Sequence, residues 1–222
     1  MEKDKLDIDN YSYILIDLWG TVFIESDTDI NIERAKILYQ HTKKHNPEYW
    51  YKAICEDIKK FKKEERKGLS IKLEERIKEL LLDNNVLYTK KLSKNIINKF
   101  DDAYIKKCKP HINRELINLV KTKKVILASN TGLVSTKCIN NILQEELIDN
   151  IFYKKFYSEN TVYCKPNPKF ISDILDYLHI KITDCIFIGN SYEMDYKPCK
   201  EIGIKCYIKD WSNDNYDKKI IF

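Results

Sequence analysis

Residues 13 to 21 read YILIDLWGT, a short apolar run that ends on an acid, Asp17, and turns at Gly20. Two later stretches have the same form, since residues 125–130 read VILASN and residues 185–191 read CIFIGNS. Continuous apolar runs are typical of strands buried on both faces of a parallel sheet. Ligands bind such a sheet at the carboxyl ends of its strands, near the point where the strand order reverses. The polar residues that end these three runs are therefore predicted to meet in one site.

The chain beyond residue 110 alternates between helix-like and strand-like patterns. Besides the apolar runs above, the pattern predicts helices over 113–121, 135–148, 168–178 and 194–201, and strands over 151–156 and 204–208. Alternation of this kind is typical of an α/β fold with a doubly wound parallel sheet. We expect residues 1–23 and 110–222 to form this α/β core.

Residues 24–109 have a different texture, rich in lysine and glutamate. Apolar residues recur there at helical spacing in four stripes, which are Ile32, Ala35, Leu38 and Tyr39; Trp50, Ile54 and Ile58; Leu73, Ile77 and Leu80; and Leu92, Ile96, Phe100 and Tyr104. Pro47 suits the start of the second helix, and residues 67–70 (KGLS) read as a turn. The sequence therefore predicts a helical domain inserted after the first strand.

Composition excludes several classes of protein. The 39 basic and 34 acidic side chains leave a net charge of +5, and 43% hydrophobic residues suffice for a sizeable core. The charged run over 59–67 is of mixed sign, which favours a solvated helix face over nucleic-acid binding. No apolar run approaches the roughly 20 residues of a membrane helix, and residues 1–7 do not resemble a signal peptide. We expect a cytoplasmic protein that binds neither nucleic acid nor membrane.

Cysteine and histidine give little sign of a structural metal. The seven cysteines include no C-x-x-C pair, so free thiols are expected rather than disulfides or a zinc ribbon. His41 and His45 are four residues apart, the spacing that puts two imidazoles on one helix face. With Lys43 and Lys44 between them, a surface helix face is the preferred interpretation.

The order of the polar motifs resembles that of the haloacid dehalogenase (HAD) superfamily. The motifs are residues 17–21 (DLWGT), Ser129-Asn130, residues 165–168 (KPNP), and residues 189–191 (GNS) followed by Asp195. They span nearly the whole chain in the family's order and spacing. The resemblance implies an α/β hydrolase core, and the helical insert is similar to the family's α-helical cap.

The chemistry of these residues agrees with that resemblance. Asp17, at a strand end beside a glycine turn, can act as a nucleophile and form an aspartyl intermediate. Ser129 and nearby backbone N–H groups can hold an oxyanion, and Lys165 supplies a fixed positive charge. Asp195 either binds Mg²⁺ or orients Lys165. The candidates for substrate contact are Thr21, Asn130 and Trp19.

Two departures from the family pattern matter. Family phosphatases usually have a second Asp two residues after the nucleophile, as general acid and base, where this chain has Trp19. A positioned acid or base contributes roughly 10²- to 10⁴-fold, so phosphate monoesters with poor leaving groups should be slow substrates. Asn190 stands where those phosphatases usually have an acidic Mg²⁺ ligand. We therefore expect a weakened Mg²⁺ site made by Asp17, Asn190 and Asp195.

Three functions remain open. The first is a HAD-type hydrolase that acts on a phosphorylated small molecule through Asp17. The second is a metal-independent hydrolase of 2-haloacids. Haloacid dehalogenases proper likewise have an aromatic residue at the Trp19 position. That family also uses a cap arginine, and no arginine lies between Arg34 and Arg66. The third is a HAD fold without turnover that binds a ligand or partner.

The sequence does not identify the substrate. Trp19, Trp50, Tyr51 and Lys52 are candidates for the rim of the pocket, although Trp50 fits better in the core of the helical insert. The sequence indicates no particular oligomeric state.

Overall fold

The computed structural model describes residues 6–24 and 28–210. Residues 1–5, 25–27 and 211–222 lie outside it. The expectation that residues 1–7 are not a signal peptide therefore falls mostly outside the described residues. Five parallel strands form one sheet in the order β5-β4-β1-β6-β7, with bounds β1 Tyr13–Ile16, β4 Lys124–Ser129, β5 Phe152–Tyr157, β6 Cys185–Gly189 and β7 Lys205–Ile208. The parallel sheet expected from the sequence is confirmed.

Strand β1 lies at the centre of this sheet. Ile14 pairs in register with Val125 of β4 and with Ile186 of β6. Alternate residues of β1 enter different hydrophobic clusters, with Ile14 and Ile16 in one and Leu15 in the other. Because both faces of β1 are covered, its sequence is continuously apolar rather than alternating.

Helices cover both faces of the sheet, as α5 Arg114–Val120, α6 Thr136–Glu145, α7 Pro168–Leu178 and α8 Lys197–Ile202. A π-helical turn over Tyr192–Tyr196 precedes α8, where the sequence predicted one short helix. Helix α6 ends three residues earlier than predicted. Leu147 has a φ of 58° there, and Asp149–Ile151 form a 3₁₀ turn instead.

Four helices form the insert that follows β1, as α1 Asn31–Thr42, α2 Pro47–Glu65, α3 Leu73–Asp83 and α4 Lys90–Cys108. They share a hydrophobic cluster of their own, which includes Trp50, Ile54, Ile77 and Phe100. The α1 stripe differs from its prediction because Ile32 and Tyr39 are exposed. Arg34 takes a buried position on that helix instead.

A short antiparallel ribbon ties the two ends of the helical insert together. Strand β2, Phe23–Ile24, pairs with strand β3, His111–Ile112. The chain thus leaves the core and re-enters it at neighbouring positions.

The predicted pairing of His41 with His45 on one helix face is wrong. Helix α1 ends at Thr42, and Lys43 and His45 both have a positive φ, so the chain turns away between the two rings. His45 Nε2 instead lies 3.0 Å from the carbonyl oxygen of Asn84. Within the described ranges, no three His, Cys, Asp or Glu side chains lie close enough together to hold a metal ion.

All seven cysteines are free thiols. In the part of the chain that the structure covers, no helix is long and apolar enough to cross a membrane.

Candidate active site

Asp17 lies directly after β1, at the carboxyl edge of the sheet, and is buried. The chain turns sharply behind it at Gly20, where φ is 72°. The positive φ favours glycine at this position, and a Cβ atom there would lie 2.1 Å from Nδ2 of Asn190, whose exposed side chain would have to move. This turn lets the loops after β1 and β6 pack side by side.

Lys165 contacts two carboxylates at once. Its Nζ donates to Oδ1 of Asp17 and to Oδ1 of Asp195, each at 2.6 Å, and all three side chains are buried. Oδ2 of Asp195 accepts from the backbone N–H groups of Asn190 and Ser191 at 3.1 and 3.0 Å. Asp195 is therefore placed to orient Lys165, with both of its oxygens engaged.

The charges of this triad do not balance. One ammonium faces two carboxylates, which leaves a net charge of −1 in a buried place. Burial raises the pKa of Asp17 to about 6, against the opposing effect of Lys165. Burial alone would lower the pKa of Lys165, but the two carboxylates outweigh it and raise that pKa above its ordinary value. A bound cation or a proton would relieve the excess negative charge.

Gly189, the last residue of β6, is required by this arrangement. A Cβ atom there would lie 2.4 Å from Oδ2 and 2.6 Å from Cγ of Asp195. The aspartate is held by the Lys165 ammonium and two backbone amides, so moving it aside would break these contacts. The absence of a side chain at Gly189 is what lets Asp195 reach Lys165.

Asn130, directly after β4, contacts the backbone of Lys165. Asn130 accepts from the Lys165 N–H at 2.9 Å through Oδ1, and its Nδ2 donates to the Lys165 carbonyl at 2.7 Å. Nδ2 also donates to Oε1 of Glu65, on α2, at 2.9 Å. The Asn130 side chain thus fixes Lys165 and links the core to the helical insert.

Ser129 is placed differently from its expected part in holding an oxyanion. It is fully buried, and its hydroxyl donates to the carbonyl of Asn130 at 2.8 Å. Contact with a ligand would require the hydroxyl to rotate away from that carbonyl. Thr21 lies beside the nucleophile candidate, with Oγ1 3.4 Å from Oδ2 of Asp17.

Trp19 forms part of the cavity wall. Its Nε1 donates to the Asn130 carbonyl at 3.1 Å. Its ring packs edge-on against Phe23 and Tyr104, with centroids 5.5 and 6.0 Å apart. The indole is therefore fixed in place and offers a ligand an apolar surface.

Asp17 and Asn190 have oxygen atoms that are available to bind a metal ion. Oδ2 of Asp17 has a long contact to Thr21, the backbone N–H of Leu18 also donates to the carboxyl group, and Asn190 is exposed at the cavity. Mg²⁺ is usually held by one or two carboxylates together with water and substrate phosphate oxygens. Together with the net negative charge of the triad, this donor set fits Mg²⁺ with one carboxylate as direct ligand. Asp195, the third expected ligand, is engaged by Lys165 and the amides.

A cavity of about 410 Å³ lies over the triad, between the sheet edge and the helical insert. Residues of the insert that line it include Arg34, Phe61, Lys62, Glu65 and Arg76. The sequence reasoning missed these residues. Arg34 and Arg76 carried a usable signal, because each is a charged residue at a buried position of an amphipathic helix.

The two arginines are held in different ways. Arg34 donates to Oδ1 of Asn31 and to the carbonyl of Leu133, both at 3.0 Å, while its buried Nε has no partner among the described residues. Burial lowers its pKa to about 10, so it remains charged at neutral pH. Arg76 pairs with Asp57 at 2.7 Å and lies over the ring of Phe61.

Three of the four rim candidates lie elsewhere. Trp50 is fully buried in the core of the insert, as preferred above. Tyr51 donates to Asp29, and Lys52 pairs with Glu48 on the exposed face of α2. The expectation failed for Tyr51 and Lys52 because α2 presents its last two turns to the cavity rather than its first.

Solved structures share this architecture. A 2-haloacid dehalogenase from Pseudomonas syringae pv. Tomato DC3000 is 12% identical with a TM-score of 0.62, covering 93% of this chain and 91% of that one. YfnB from Bacillus subtilis, described as a HAD-hydrolase bound to magnesium, is 14% identical with a TM-score of 0.58, covering 95% and 92%.

A third such structure is a predicted phosphoglycolate phosphatase from Haemophilus somnus 129PT, 15% identical with a TM-score of 0.56, covering 91% and 85%. At these identities the likeness shows a shared fold. No curated protein matches the chain. The family model for haloacid dehalogenase-like hydrolases matches residues 11–203. Since that match spans most of the sequence and includes four of the five strands of the sheet, all but β7, the chain belongs to the haloacid dehalogenase-like hydrolases.

Proposed function

We propose that the protein hydrolyses a phosphorylated small molecule through a covalent intermediate on Asp17. The observation that carries this proposal is the buried Asp17 carboxylate, 2.6 Å from the Lys165 ammonium at the floor of a cavity. A pure binding site has no need for a buried acid beside a lysine, because burying charged groups costs free energy. Residues 24–109 act in this proposal as the cap over the site.

The reaction proceeds in two steps. An oxygen of Asp17 attacks phosphorus, the bond to the leaving oxygen breaks, and an aspartyl phosphate forms. Lys165 holds Asp17 in position and offsets negative charge that develops on the phosphoryl oxygens. Water then attacks the same phosphorus and releases phosphate and the free carboxylate.

Mg²⁺ fits this proposal with Asp17 and the amide of Asn190 as its ligands. When bound, it would offset negative charge on the phosphoryl group. With one fewer acidic ligand than family phosphatases usually have, we expect a weak site. The net charge of −1 on the triad supports a cation there, and Asp195 contributes by keeping Lys165 in place.

The walls of the cavity support an anionic substrate. Arg34, Lys62 and Arg76 face the same space, and Arg34 and Lys62 have no acidic ion-pair partner among the described residues. Phosphate esters and phosphorylated acids carry the charge that such walls would attract.

Hydrolysis of 2-haloacids is the second candidate, and the same arginines favour it. The sequence has no arginine between Arg34 and Arg66, where such dehalogenases have a cap arginine, and this disfavoured the second candidate. Arg34 and Arg76 lie outside that window and nevertheless line the cavity. Trp19 is also held as an apolar wall, and halide leaves without a proton.

A substrate panel with and without Mg²⁺ tests both candidates. It should contain phosphomonoesters, acyl phosphates and 2-haloacids, with Asp17→Asn as the inactive control. We expect turnover of phosphorylated compounds and, by intact mass, one phosphoryl group on the wild-type protein but not on the variant. Turnover of 2-haloacids alone would favour the second candidate. No turnover and no covalent adduct would leave the fold as a binding module.

A further inference from the structure

Glu65 is a third carboxyl group at the cavity, and it comes from the helical insert. It is the last residue of α2, and its Oε1 accepts from Nδ2 of Asn130 at 2.9 Å. That same Nδ2 donates to the carbonyl of Lys165, whose ammonium binds Asp17. One amide group thus connects Glu65 to the residue that positions the nucleophile.

The other oxygen of Glu65 is open to the cavity. Within residues 6–24 and 28–210, no hydrogen bond reaches Oε2, although Glu65 lines the space above Asp17. Asn130 fixes one side of the carboxyl group and leaves the other side to a ligand. A proton on Oε2 would be available to an oxygen atom bound in that space.

The surroundings of Glu65 favour its protonated form more than water does. Burial raises the pKa of Glu65 above its ordinary value, opposed by the hydrogen bond from Asn130 and the charges of Lys165, Arg76 and Lys62. Cys164 also faces this residue, with Sγ 3.7 Å from the Glu65 carbonyl. Such a carboxyl group can hold a proton closer to neutral pH than an exposed glutamate can.

We propose that Glu65 is the general acid and base of this active site, in the part that Trp19 cannot play. The inference rests on the proposed function. In the first step the Glu65 proton passes to the leaving oxygen as its bond to phosphorus breaks and the bond from Asp17 forms. In the second step the Glu65 carboxylate takes a proton from the water that attacks phosphorus, which restores both carboxyl groups.

A purely structural role for Glu65 makes a different prediction. As a link between the insert and Asn130, Glu65 would affect all substrates alike. Glu65→Gln keeps an oxygen that can accept from Asn130 but cannot donate an acidic proton. Glu64→Gln is the matched control, because Glu64 is the neighbouring residue and pairs with Lys67 away from the cavity.

The experiment compares kcat/KM of wild type, Glu65→Gln and Glu64→Gln on an alkyl phosphate, an aryl phosphate and acetyl phosphate, at saturating Mg²⁺. For Glu65→Gln we expect a loss of roughly 10²- to 10⁴-fold on the alkyl phosphate. The loss should be smaller on the aryl phosphate and less than about tenfold on acetyl phosphate, whose leaving group departs without a proton.

Two further readouts belong to the same experiment. The fall in wild-type kcat/KM on the alkyl phosphate as pH rises should disappear in Glu65→Gln, since the general acid is gone. The aspartyl phosphate should also accumulate on Glu65→Gln with acetyl phosphate, visible by intact mass, because its hydrolysis lacks the base.

Each outcome decides the inference. An equal loss on all three substrates, or no loss, overturns it and leaves Glu65 as a structural link. If the wild type hydrolyses none of the three, the proposed function fails and the inference falls with it. If Glu64→Gln shows the same dependence on the leaving group, the effect does not belong to the cavity.

Discussion

Lys165 serves two carboxylates with one ammonium group, and they depend on it unequally. Asp195 has two backbone N–H groups as further partners, whereas Asp17 has one, that of Leu18, and the long contact to Thr21. Asp17 is therefore the acid left short of compensation, in agreement with its pKa of about 6. In the proposed function, this arrangement keeps the Asp17 carboxylate available as a nucleophile at a cost in stability.

Asp17→Asn should raise stability, and by more at high pH than at low pH. The pKa of Asp17 rises from 3.8 in the unfolded chain to about 6 in the fold. Its stabilising contribution is therefore present below about pH 4 and is lost as pH rises through 6. The asparagine does not titrate, so its advantage should grow over this range to at most about 3 kcal/mol.

Urea denaturation of both proteins at pH 4.5 and pH 8, with a chelator present, measures this difference. The same variant should have no turnover. An advantage of equal size at both pH values would mean that Asp17 keeps an ordinary pKa in the fold.

The carboxyl ends of β1 and β6 position the acidic residues of the site. Strand β1 delivers Asp17, β6 ends on Gly189 where Asp195 folds back, and the π-helical turn over Tyr192–Tyr196 carries Asp195 inward. Such π turns are frequent at functional sites. The site thus depends on the backbone where β6 ends as much as on its acidic side chains.

Gly189→Ala should damage both stability and activity. The new methyl group would overlap Asp195, which has three partners to lose. We expect a loss of about 1–3 kcal/mol in the free energy of unfolding, as for other overpacked sites. Gly132→Ala is the control, since its Cβ would have no atom within 4 Å and should change stability by about 0.5 kcal/mol or less. Equal effects in urea denaturation would contradict the crowding at Gly189.

The sequence revealed the strands far better than the cavity walls. Continuous apolar runs place β1 and its neighbours because burial on both faces leaves no other pattern. His45 was misplaced because a single residue with positive φ ends α1, and no glycine marks it. Glu65 and Lys62 were read as part of a charged helix, since only the packing of α2 over the sheet edge shows which of its charges face inward.

At the scale of the whole molecule, the two halves of the cavity carry opposite charge. The floor has a net charge of −1, and the insert contributes Arg34, Lys62 and Arg76 against Glu65. A substrate with a phosphoryl group and a second anionic group would meet the lysine of the floor and the cations of the wall together. The charge of the cavity wall would then affect substrate binding more than it affects the chemical step.

Lys62→Gln should raise KM without changing kcat. Lys62 is exposed at the cavity, so we expect an effect of about two- to fivefold, in line with exposed charge pairs. The effect should shrink at high ionic strength because salt screens exposed charges. Lys63→Gln is the control, as Lys63 is exposed and does not line the cavity. A fall in kcat for Lys62→Gln would instead give this lysine a part in the chemical step.

The ribbon of Phe23–Ile24 with His111–Ile112 bears on how this chain can vary over evolution and in the laboratory. Adjacent strands lie roughly 4.8 Å apart, so the gap that the insert must close is only one strand spacing. A segment of any length whose own ends lie side by side can be joined there without changing the register of the sheet. Under the proposed function, recognition of the substrate can thus diversify by exchange of a whole module, while the sheet edge and the loops that hold Asp17, Lys165 and Asp195 stay as they are.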